Sequence, residues 1–271
     1  MDQKEYDLTI FSVATDRYIK YWSEMVNSFF KTNGASVKIQ WVVFTDKAEQ
    51  IDPGLISTLG KSLLVSRIPH QEWPFPTIRR YEFLTSISDQ ILGRIVMHLD
   101  ADMLFVGKID FAKLEGSLGE KGLSLVKHPG YFRPAGVKRI TFYLKSPRYL
   151  LKDFRAILVF GGLGTWERNK FSKAFVPRSK RIDYVCGGVW LGRRHEILTL
   201  CKELSARISE DFTHKIVAVF HDESHLNWYQ AKNQFNLLNP ELCFDPSYPQ
   251  LMDLTPKIQA VDKNAQEKWV R

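Results

Sequence analysis

The run Ile95-Val96-Met97-His98-Leu99 constrains the fold most, because it is almost entirely apolar and leads directly into Asp100. A strand that is apolar on both faces belongs in the middle of a mostly parallel sheet, with helices covering each face. Before it, residues 8–13 and 37–45 have strand composition, and residues 18–32 carry apolar side chains at helical spacing. The sequence therefore predicts a Rossmann-like α/β domain with a mostly parallel central sheet.

Further segments extend this pattern along the chain. We predict a third strand over 63–68, a helix over 77–92 that ends at a glycine, and an amphipathic helix over 197–208. Residues 137–164 mix basic residues with short apolar runs and are interpreted as a loop or insertion. The stretch from residue 240 is rich in Pro and Asp and is expected to be extended or loop. The chain has 271 residues, which fits one enlarged α/β domain.

The cysteines and the first residues bear on the compartment. Cys186, Cys201 and Cys243 are far apart in the sequence and odd in number, which argues against a disulfide framework and fits a reducing compartment. The start of the chain is charged where a signal peptide would be apolar, and no run of about 18 apolar residues occurs. We expect a soluble, cytoplasmic protein.

The net charge of +8 is unevenly distributed. Residues 127–182 contain fourteen Lys and Arg against two acids, so this basic segment carries +12 and the rest of the chain −4. Such a segment is a solvated face, a site for a phosphate-bearing substrate, or a peripheral contact with an anionic membrane. Basic and aromatic residues are not interleaved as in nucleic-acid binders, so no nucleic-acid partner is expected.

Asp100-Ala101-Asp102 follows the apolar strand directly. Ligands of open parallel sheets bind at the carboxyl ends of the strands. Two carboxylates delivered there can bind a hard divalent cation, which in turn can hold a diphosphate. The alternative is a solvated turn, since this pattern is common by chance.

A second polar motif, His221-Asp222-Glu223-Ser224-His225, follows the apolar run 216–220. On a helix His221 and His225 would share a face, as in zinc hydrolases, although the residue after the first histidine is aspartate rather than glutamate. A helix start with a structural histidine pair is the other alternative. Either way, polar groups that enter a core need partners or a purpose.

Four residues gain meaning only beside these motifs. Trp73, Arg79 and Arg80 flank the start of the predicted 77–92 helix, where an arginine can pair with phosphate oxygens in a fork. Tyr18 opens the first helix after the first strand, a position from which its ring can stack on a base. Taken alone, each would be a core or surface residue.

Five stretches, taken in order from about residue 8 to 264, form a recognisable series. They are Thr9-Ile10-Phe11-Ser12-Val13 with Arg17-Tyr18-Ile19, Trp73 with Arg80, His98-Leu99-Asp100-Ala101-Asp102-Met103, Thr165-Trp166-Glu167-Arg168 leading to Asp183-Tyr184-Val185-Cys186-Gly187-Gly188-Val189-Trp190, and His221-Asp222-Glu223-Ser224-His225-Leu226-Asn227. The series resembles family 6 of the glycosyltransferases, the histo-blood-group ABO and α1,3-galactosyltransferase family. The last stretch is the most specific of the five.

The resemblance implies a GT-A fold in which residues 1–271 form a single catalytic domain. About 1–110 would bind the nucleotide, about 111–262 would hold the acceptor and catalysis, and 263–271 would be a mobile tail. The implied activity is a retaining α-1,3-glycosyltransferase. It would move galactose or N-acetylgalactosamine from a UDP-sugar to a galactose-type hydroxyl of a glycan or lipid-linked glycan acceptor.

The resemblance also assigns site residues. Asp100 and Asp102 would bind Mn²⁺, or Mg²⁺, within a nucleotide-sugar site that comprises Phe11, Ser12, Val13, Tyr18, Trp73, Arg80, Asp100, Ala101, Asp102, Lys263 and Arg271. Glu223 would lie beneath the anomeric carbon, with Asp222 and His221 as its catalytic neighbours. The donor sugar and acceptor would contact Cys186, Gly187, Gly188, Trp190, His221 and Glu223. Small residues at 187 and 188 favour N-acetylgalactosamine.

The chain departs from the family pattern in several places. The membrane anchor and stem of the animal enzymes are absent, which indicates a soluble bacterial or phage-type member. The 137–164 stretch is longer than the family's, and Lys268 competes with Lys263 and Arg271 for the tail position that closes over the diphosphate. A zinc hydrolase and an inactive sugar-binding module stay open as alternatives.

Overall fold

The computed structural model describes residues 6–34 and 37–262. Within these ranges a seven-stranded sheet has the order β3-β2-β1-β4-β7-β6-β8. Its strands are β1 Tyr6–Val13, β2 Ile39–Thr45, β3 Leu63–Arg67, β4 Gly93–Leu99, β6 Leu123–Lys127, β7 Val185–Arg193 and β8 Asn236–Leu238. A second sheet pairs β5 Met103–Phe105 with β9 Ile258–Ala260 in antiparallel fashion.

Six of the seven strands in the main sheet share one direction. The pairs β1–β2, β1–β4, β2–β3 and β6–β8 are parallel, and β7 is antiparallel to both β4 and β6. The predicted mostly parallel α/β sheet is confirmed. Because β7 runs the opposite way, its first residues lie at the same sheet edge as the carboxyl ends of β1 and β4.

Nine α-helices occur in the described ranges. They are α1 Tyr18–Asn33, α2 Pro53–Leu59, α3 Phe75–Ile78, α4 Arg80–Ser86, α5 Phe111–Gly116, α6 Val137–Lys145, α7 Pro147–Arg155, α8 Arg194–Thr213 and α9 His221–Asn233. A π turn, Ala156–Phe160, continues α7.

Alternate side chains of each central strand enter two separate cores, as the period of a strand requires. Met97 of β4 packs in one core with Trp22 and Phe29 of α1. Val96 packs in the other core with residues of α4, α8 and α9, including Tyr81 and Leu204. Both faces of the sheet are therefore covered by helices. In the described residues, no helix has the length and apolar character needed to cross a membrane.

The 77–92 helix was expected to be continuous, but the structure breaks it. Helix α3 ends at Ile78, and Arg79, whose φ of −88° and ψ of 4° are not helical, separates it from α4, which ends at Ser86. After the break the Arg80 side chain is buried, and its Nε donates to the carbonyl oxygen of Thr77 at 3.0 Å. The apolar residues of α3 and of α4 both face the core. Their spacing in the sequence therefore continues across the break and does not reveal it.

The interpretation of 137–164 as a loop is wrong, since α6, α7 and the π turn occupy most of it. The run 216–220 also differs from expectation, because Val217, Val219 and Phe220 are about half exposed instead of buried. The three cysteines are free thiols. Two of them, Cys186 and Cys243, meet despite their distance in the sequence, and the hydrogen bond between them raises the pKa of Cys243.

Candidate active site

A cavity of about 480 Å³ opens at the carboxyl ends of β1 and β4. Its walls come from four separate segments of the chain: Val13, Thr15, Asp16 and Tyr18; His70 to Trp73; Pro76, Thr77 and Arg80; and Asp100, Ala101 and Asp102. Seven residues assigned to the nucleotide-sugar site from the sequence therefore line one cavity. Its position agrees with the rule that open α/β sheets bind ligands at the carboxyl ends of their strands.

Three other residues assigned from the resemblance lie in the protein interior beside this cavity. Phe11 packs against Trp190 with ring centroids 5.4 Å apart, and both rings are fully buried. Ser12 donates through Oγ to the carbonyl oxygen of Leu99 at 2.6 Å. In the structure these three side chains support the cavity from the core and do not form its described lining, whereas the resemblance implied that they contact the donor.

Arg80 is the central cation of the site and is buried. Its Nη1 lies 3.0 Å from Oδ1 of Asp100, and its Nε lies 3.2 Å from Oδ2 of Asp222. Nη1 also donates to the carbonyl oxygen of Gly187 at 2.9 Å. Burial opposes the charge, but Asp222 and Asp100 outweigh it and raise the pKa of Arg80. Arg80 thus joins the two polar motifs, whereas the sequence indicated only a phosphate contact.

His98 is a site residue whose role the sequence did not indicate. Its ring is fully buried beside Trp190, and Nε2 lies 2.6 Å from Nη1 of Arg80 and 3.1 Å from Oδ1 of Asp100. Burial and the adjacent guanidinium lower the pKa of His98 to about 4. A neutral imidazole at this position accepts a hydrogen bond from Arg80 and helps to fix the Arg80–Asp100 pair. Its sequence signals were its place within an apolar strand and its place at the start of one of the five family stretches.

Glu223 lies in the first turn of α9 against the start of β7. Its Oε2 accepts a 2.7 Å hydrogen bond from the backbone N–H of Gly187. Burial raises the pKa of Glu223 to about 8, even though the Gly187 hydrogen bond acts in the opposite direction. Burial also raises the pKa of Asp222 to about 6, against the effect of Arg80. Perturbed acids of this kind in a cleft are typical of functional sites.

Gly187 and Gly188 allow three carboxylates to approach the start of β7. A Cβ on Gly188 would lie 2.7 Å from Oδ2 of Asp100, closer than such atoms approach without one of them moving. A Cβ on Gly187 would lie 3.2 Å from Cβ of Glu223 and 3.3 Å from Oδ2 of Asp222. The backbone N–H of Asp100 also donates to the carbonyl oxygen of Gly188 at 2.9 Å. The glycines are therefore needed for the close approach of these acids.

The nucleotide-side cavity and α9 meet at an aromatic contact. The Trp73 ring is 75 % exposed and stands edge-on to the His221 ring, with centroids 5.0 Å apart. Partial burial lowers the pKa of His221. This contact places His221 beside the cavity wall, and Asp222 meets the wall through Arg80, whereas Glu223 lies against Gly187, outside the cavity lining.

Glu167 and Asn227 fix the position of α9, although the sequence assigned them no role. Glu167 is buried, and its Oε2 accepts a 2.7 Å hydrogen bond from the backbone N–H of Val219, two residues before α9. Asn227 bonds both the N–H and the carbonyl of Val185 on β7, at 2.8 and 2.9 Å. Their only sequence signal was their place within the family stretches.

His225 has a structural environment. It is buried, with Nε2 3.5 Å from Oδ2 of Asp211, and burial lowers its pKa to about 3. Among residues 6–34 and 37–262, no group of three or more His, Cys, Asp or Glu side chains is placed to hold a metal ion. The His221–His225 zinc alternative therefore gains no support from the described part of the chain.

The predicted tail residues Lys263, Lys268 and Arg271 lie outside the described residues. The chain leads to them past Asp102, since the backbone N–H of Val261 donates to the carbonyl oxygen of Asp102 at 2.9 Å.

Comparison with known proteins finds similarity to glycosyltransferases. The family model of glycosyltransferase family 6 matches residues 162–271. Histo-blood group ABO system transferase 1 of Rattus norvegicus is 26 % identical over 267 residues, covering 96 % of this chain and 67 % of the relative. Globoside alpha-1,3-N-acetylgalactosaminyltransferase 1 of Homo sapiens is 27 % identical over 250 residues, or 90 % of this chain and 62 % of the relative.

A bacterial relative matches from end to end. The O-antigen biosynthesis glycosyltransferase WbnI of Escherichia coli is 22 % identical over 263 residues, covering 97 % of each chain. This chain spans about two thirds of the length of the two animal relatives. The family match over residues 162–271, these named transferases and the Rossmann-like sheet agree with the sequence motifs: the chain is a glycosyltransferase that is similar to family 6.

Proposed function

We propose that the enzyme transfers galactose or N-acetylgalactosamine from a UDP-sugar to a galactose-type hydroxyl of a glycan, forming an α-1,3 linkage with retention. The observation that carries this proposal is the placement of Glu223 against Gly187, one residue from the Gly188–Asp100 contact. A carboxyl group for the anomeric carbon and a carboxylate for the metal–diphosphate thereby converge at one edge of the sheet.

The cavity chemistry supports a nucleotide-sugar donor. Tyr18 and Trp73 offer aromatic faces for a uracil base, and aromatic stacking is a general means of holding bases. The names of the rat and human relatives refer to histo-blood-group and N-acetylgalactosaminyl transfer. We propose the same sugar class for this chain, with N-acetylgalactosamine as the preferred donor.

The donor set fits a divalent cation. Asp100 and Asp102 both line the cavity, and the Asp100 side chain is 37 % exposed. Carboxylate oxygens are hard ligands and suit Mn²⁺ or Mg²⁺. Because Gly188 has no side chain, Oδ2 of Asp100 can lie where a Cβ at this position would crowd it. We propose that these two residues hold the metal, which when bound neutralises charge on the departing diphosphate.

Glu223 is the proposed catalytic residue, acting in its ionised form. Retention requires either a covalent glycosyl–carboxylate intermediate or a carboxylate that stabilises an oxocarbenium-like front-face transition state. Either route needs a negative oxygen next to the anomeric carbon, and the Gly187 hydrogen bond orients that oxygen. Asp222 and His221 are proposed to hold hydroxyls of the donor sugar and acceptor.

The two cavities support the proposed division into a nucleotide half and an acceptor half. Every residue that lines the first cavity lies before residue 103. A second cavity of about 410 Å³ is lined only by residues 131 to 219. Tyr184 connects this side to catalysis, because it lies beside Glu223 and donates to the carbonyl oxygen of Thr165 at 3.2 Å. We propose this second side for the glycan acceptor.

Residues 263–271 are proposed to close over the diphosphate through Lys263, Lys268 or Arg271. Support comes from the Val261–Asp102 hydrogen bond, which brings the chain to the metal motif immediately before this segment.

UDP release tests the proposal. The enzyme should release UDP from UDP-N-acetylgalactosamine in the presence of Mn²⁺, faster with a galactose-terminated acceptor than without one. Release should stop when EDTA removes the metal. A protein that binds galactosides but releases no UDP from either donor would instead be a sugar-binding module.

A further inference from the structure

Helix α6 exposes an apolar stripe to solvent. Val137, Ile140 and Leu144 are 77 %, 61 % and 78 % exposed, and their spacing places them on one face of the helix. The buried side chain of α6 is Phe142, which faces the opposite way. A surface helix of a water-soluble protein shows the reverse arrangement, with the apolar stripe on the core.

Helix α7 and its π turn repeat this arrangement. Exposed apolar side chains recur at i, i+1, i+4, i+7 and i+8: Leu150, Leu151, Phe154, Ile157 and Leu158, each at least half exposed. This spacing forms a second continuous stripe. Two consecutive amphipathic helices therefore present their apolar faces outward. We refer to residues 137–160 as the helical insertion.

A buried ion pair attaches the insertion to the rest of the protein. Arg133 donates from Nε and Nη2 to the two carboxylate oxygens of Asp153, at 2.5 and 2.7 Å, and both residues are buried. The hydroxyl of Tyr143 also donates to Asp153 at 2.8 Å. The insertion is thus held from inside by charge and hydrogen bonds, and the exposed apolar side chains are not needed for that attachment.

The exposed charge of the insertion has one sign. The insertion contains one acid, Asp153, and its charge is neutralised by the ion pair with Arg133. It also contains six basic residues: Lys138, Arg139, Lys145, Arg148, Lys152 and Arg155. Exposed leucine and phenylalanine side chains beside cations are complementary to an anionic lipid bilayer, in which charged headgroups lie above the hydrocarbon of the acyl chains. Two copies of this surface would repel each other, so charge disfavours self-association here.

We propose that the helical insertion binds anionic lipid bilayers, with α6 and α7 lying in the membrane interface. Leu144, Leu151 and Phe154 would enter the acyl boundary, and the surrounding lysines and arginines would contact lipid phosphates.

The helical insertion lies beside the cavity proposed for the acceptor, so membrane binding would bring that cavity close to the lipid surface. Residues 152 to 160 of the insertion form one wall of the second cavity, and Thr165, Trp166 and Val219 of the catalytic half form another. A glycan carried on a lipid of the same membrane would meet the enzyme at that cavity. This consequence rests on the proposed function, whereas membrane binding itself does not.

Vesicle flotation with the full-length protein tests the proposal. The wild-type protein should float with phosphatidylcholine vesicles that contain about one third phosphatidylglycerol, and far less with pure phosphatidylcholine. The triple variant Leu144→Gln, Leu151→Gln, Phe154→Gln should bind about a hundredfold more weakly, because three apolar side chains no longer leave water. Glutamine retains good helix propensity, so these exposed substitutions preserve the fold.

A charge series separates the two contributions. Replacing Lys138, Lys145 and Arg148 by Gln should weaken vesicle binding at least tenfold, because three cations no longer contact the lipid phosphates. Raised salt should likewise weaken the vesicle binding of the wild-type protein. Ile56→Gln and Lys202→Gln change an exposed apolar and an exposed basic residue outside the insertion, and both should float like the wild type.

Two results would overturn the proposal. One is the absence of flotation with anionic vesicles at low salt. The other is a lipid-free dimer in light scattering that the triple Gln variant converts to a monomer, which would make the surface an interface between copies. Flotation needs no donor or acceptor, so its outcome is independent of whether UDP release is observed.

Discussion

The backbone N–H of Gly187 donates a 2.7 Å hydrogen bond to Oε2 of Glu223, joining the start of β7 to the first turn of α9. This bond fixes one oxygen of a buried carboxyl group whose pKa lies near 8. The arrangement holds a group that is costly to ionise at the place where the proposed mechanism needs a negative charge. A strained electrostatic environment of this kind is expected where function competes with stability.

Glu223→Gln should lower kcat by several orders of magnitude while leaving the donor Kd nearly unchanged, because the lost interaction acts mainly in the transition state. Donor binding is measured by calorimetry with UDP-sugar and Mn²⁺, and kcat by UDP release. Glu115→Gln, at an exposed carboxylate that pairs with Arg94, is the matched control and should retain full activity. A kcat for Glu223→Gln within tenfold of the wild type would remove Glu223 from catalysis.

The same substitution should stabilise the fold at alkaline pH. The pKa of Glu223 is about 8 in the folded protein against an ordinary value of 4.5. Between these pH values Glu223 keeps its proton in the folded protein but has lost it in the unfolded chain. The contribution of Glu223 to the free energy of unfolding therefore falls as the pH rises. The glutamine of the Glu223→Gln variant does not titrate. The free energy of unfolding of this variant should therefore exceed that of the wild type by on the order of a few kcal/mol at pH 8.5.

Urea unfolding at pH 5 and pH 8.5 measures that difference. The variant and the wild type should have similar free energies of unfolding at pH 5 and diverge at pH 8.5. An equal difference at both pH values would show that Glu223 ionises normally in the folded protein.

Asp100→Asn and Asp102→Asn should each remove most of the activity and weaken UDP-sugar binding, because the diphosphate loses its counter-charge. Titration of Mn²⁺ against UDP binding should show a weaker apparent metal affinity in both variants. Asp110→Asn, which changes the N-cap of α5 instead, controls for loss of a nearby carboxylate. Normal turnover of the double variant in EDTA would contradict metal dependence.

If the small residues at 187 and 188 make room for the N-acetyl group, as the sequence analysis expects, Gly188→Ala should narrow the sugar pocket and shift preference toward UDP-galactose. In the structure the new methyl group would meet Oδ2 of Asp100 at 2.7 Å before it met any ligand. We therefore expect the Asp100 carboxylate to move and activity to fall with both donors, along with the apparent Mn²⁺ affinity. Unchanged Mn²⁺ affinity with altered donor preference would restore the original interpretation.

The sequence predicted the parts of the fold and site that depend on local pattern. The apolar run before Asp100 is the buried strand β4, and Asp100, Ala101 and Asp102 follow it into the cavity. Tyr18 at the start of α1 also lines that cavity. In each case strand or helix periodicity determines where the side chain emerges.

Contacts between distant segments could not be predicted in this way. Nothing local to Arg80 shows that its partners are Asp222 and the carbonyl of Gly187, since β7 and α9 bring these groups to it. The helical insertion was misinterpreted for another reason. Its apolar residues follow helical spacing but face solvent, whereas the apolar stripe of a surface helix ordinarily faces the core.

The stereochemistry of the first product tests the central claim most directly. Proton NMR during the reaction of UDP-N-acetylgalactosamine with a galactose-terminated acceptor gives the anomeric coupling of the new linkage. An α linkage, as in the donor, is the result that our account predicts for Glu223 beneath the anomeric carbon. A β linkage would contradict the retaining mechanism and the role assigned to Glu223.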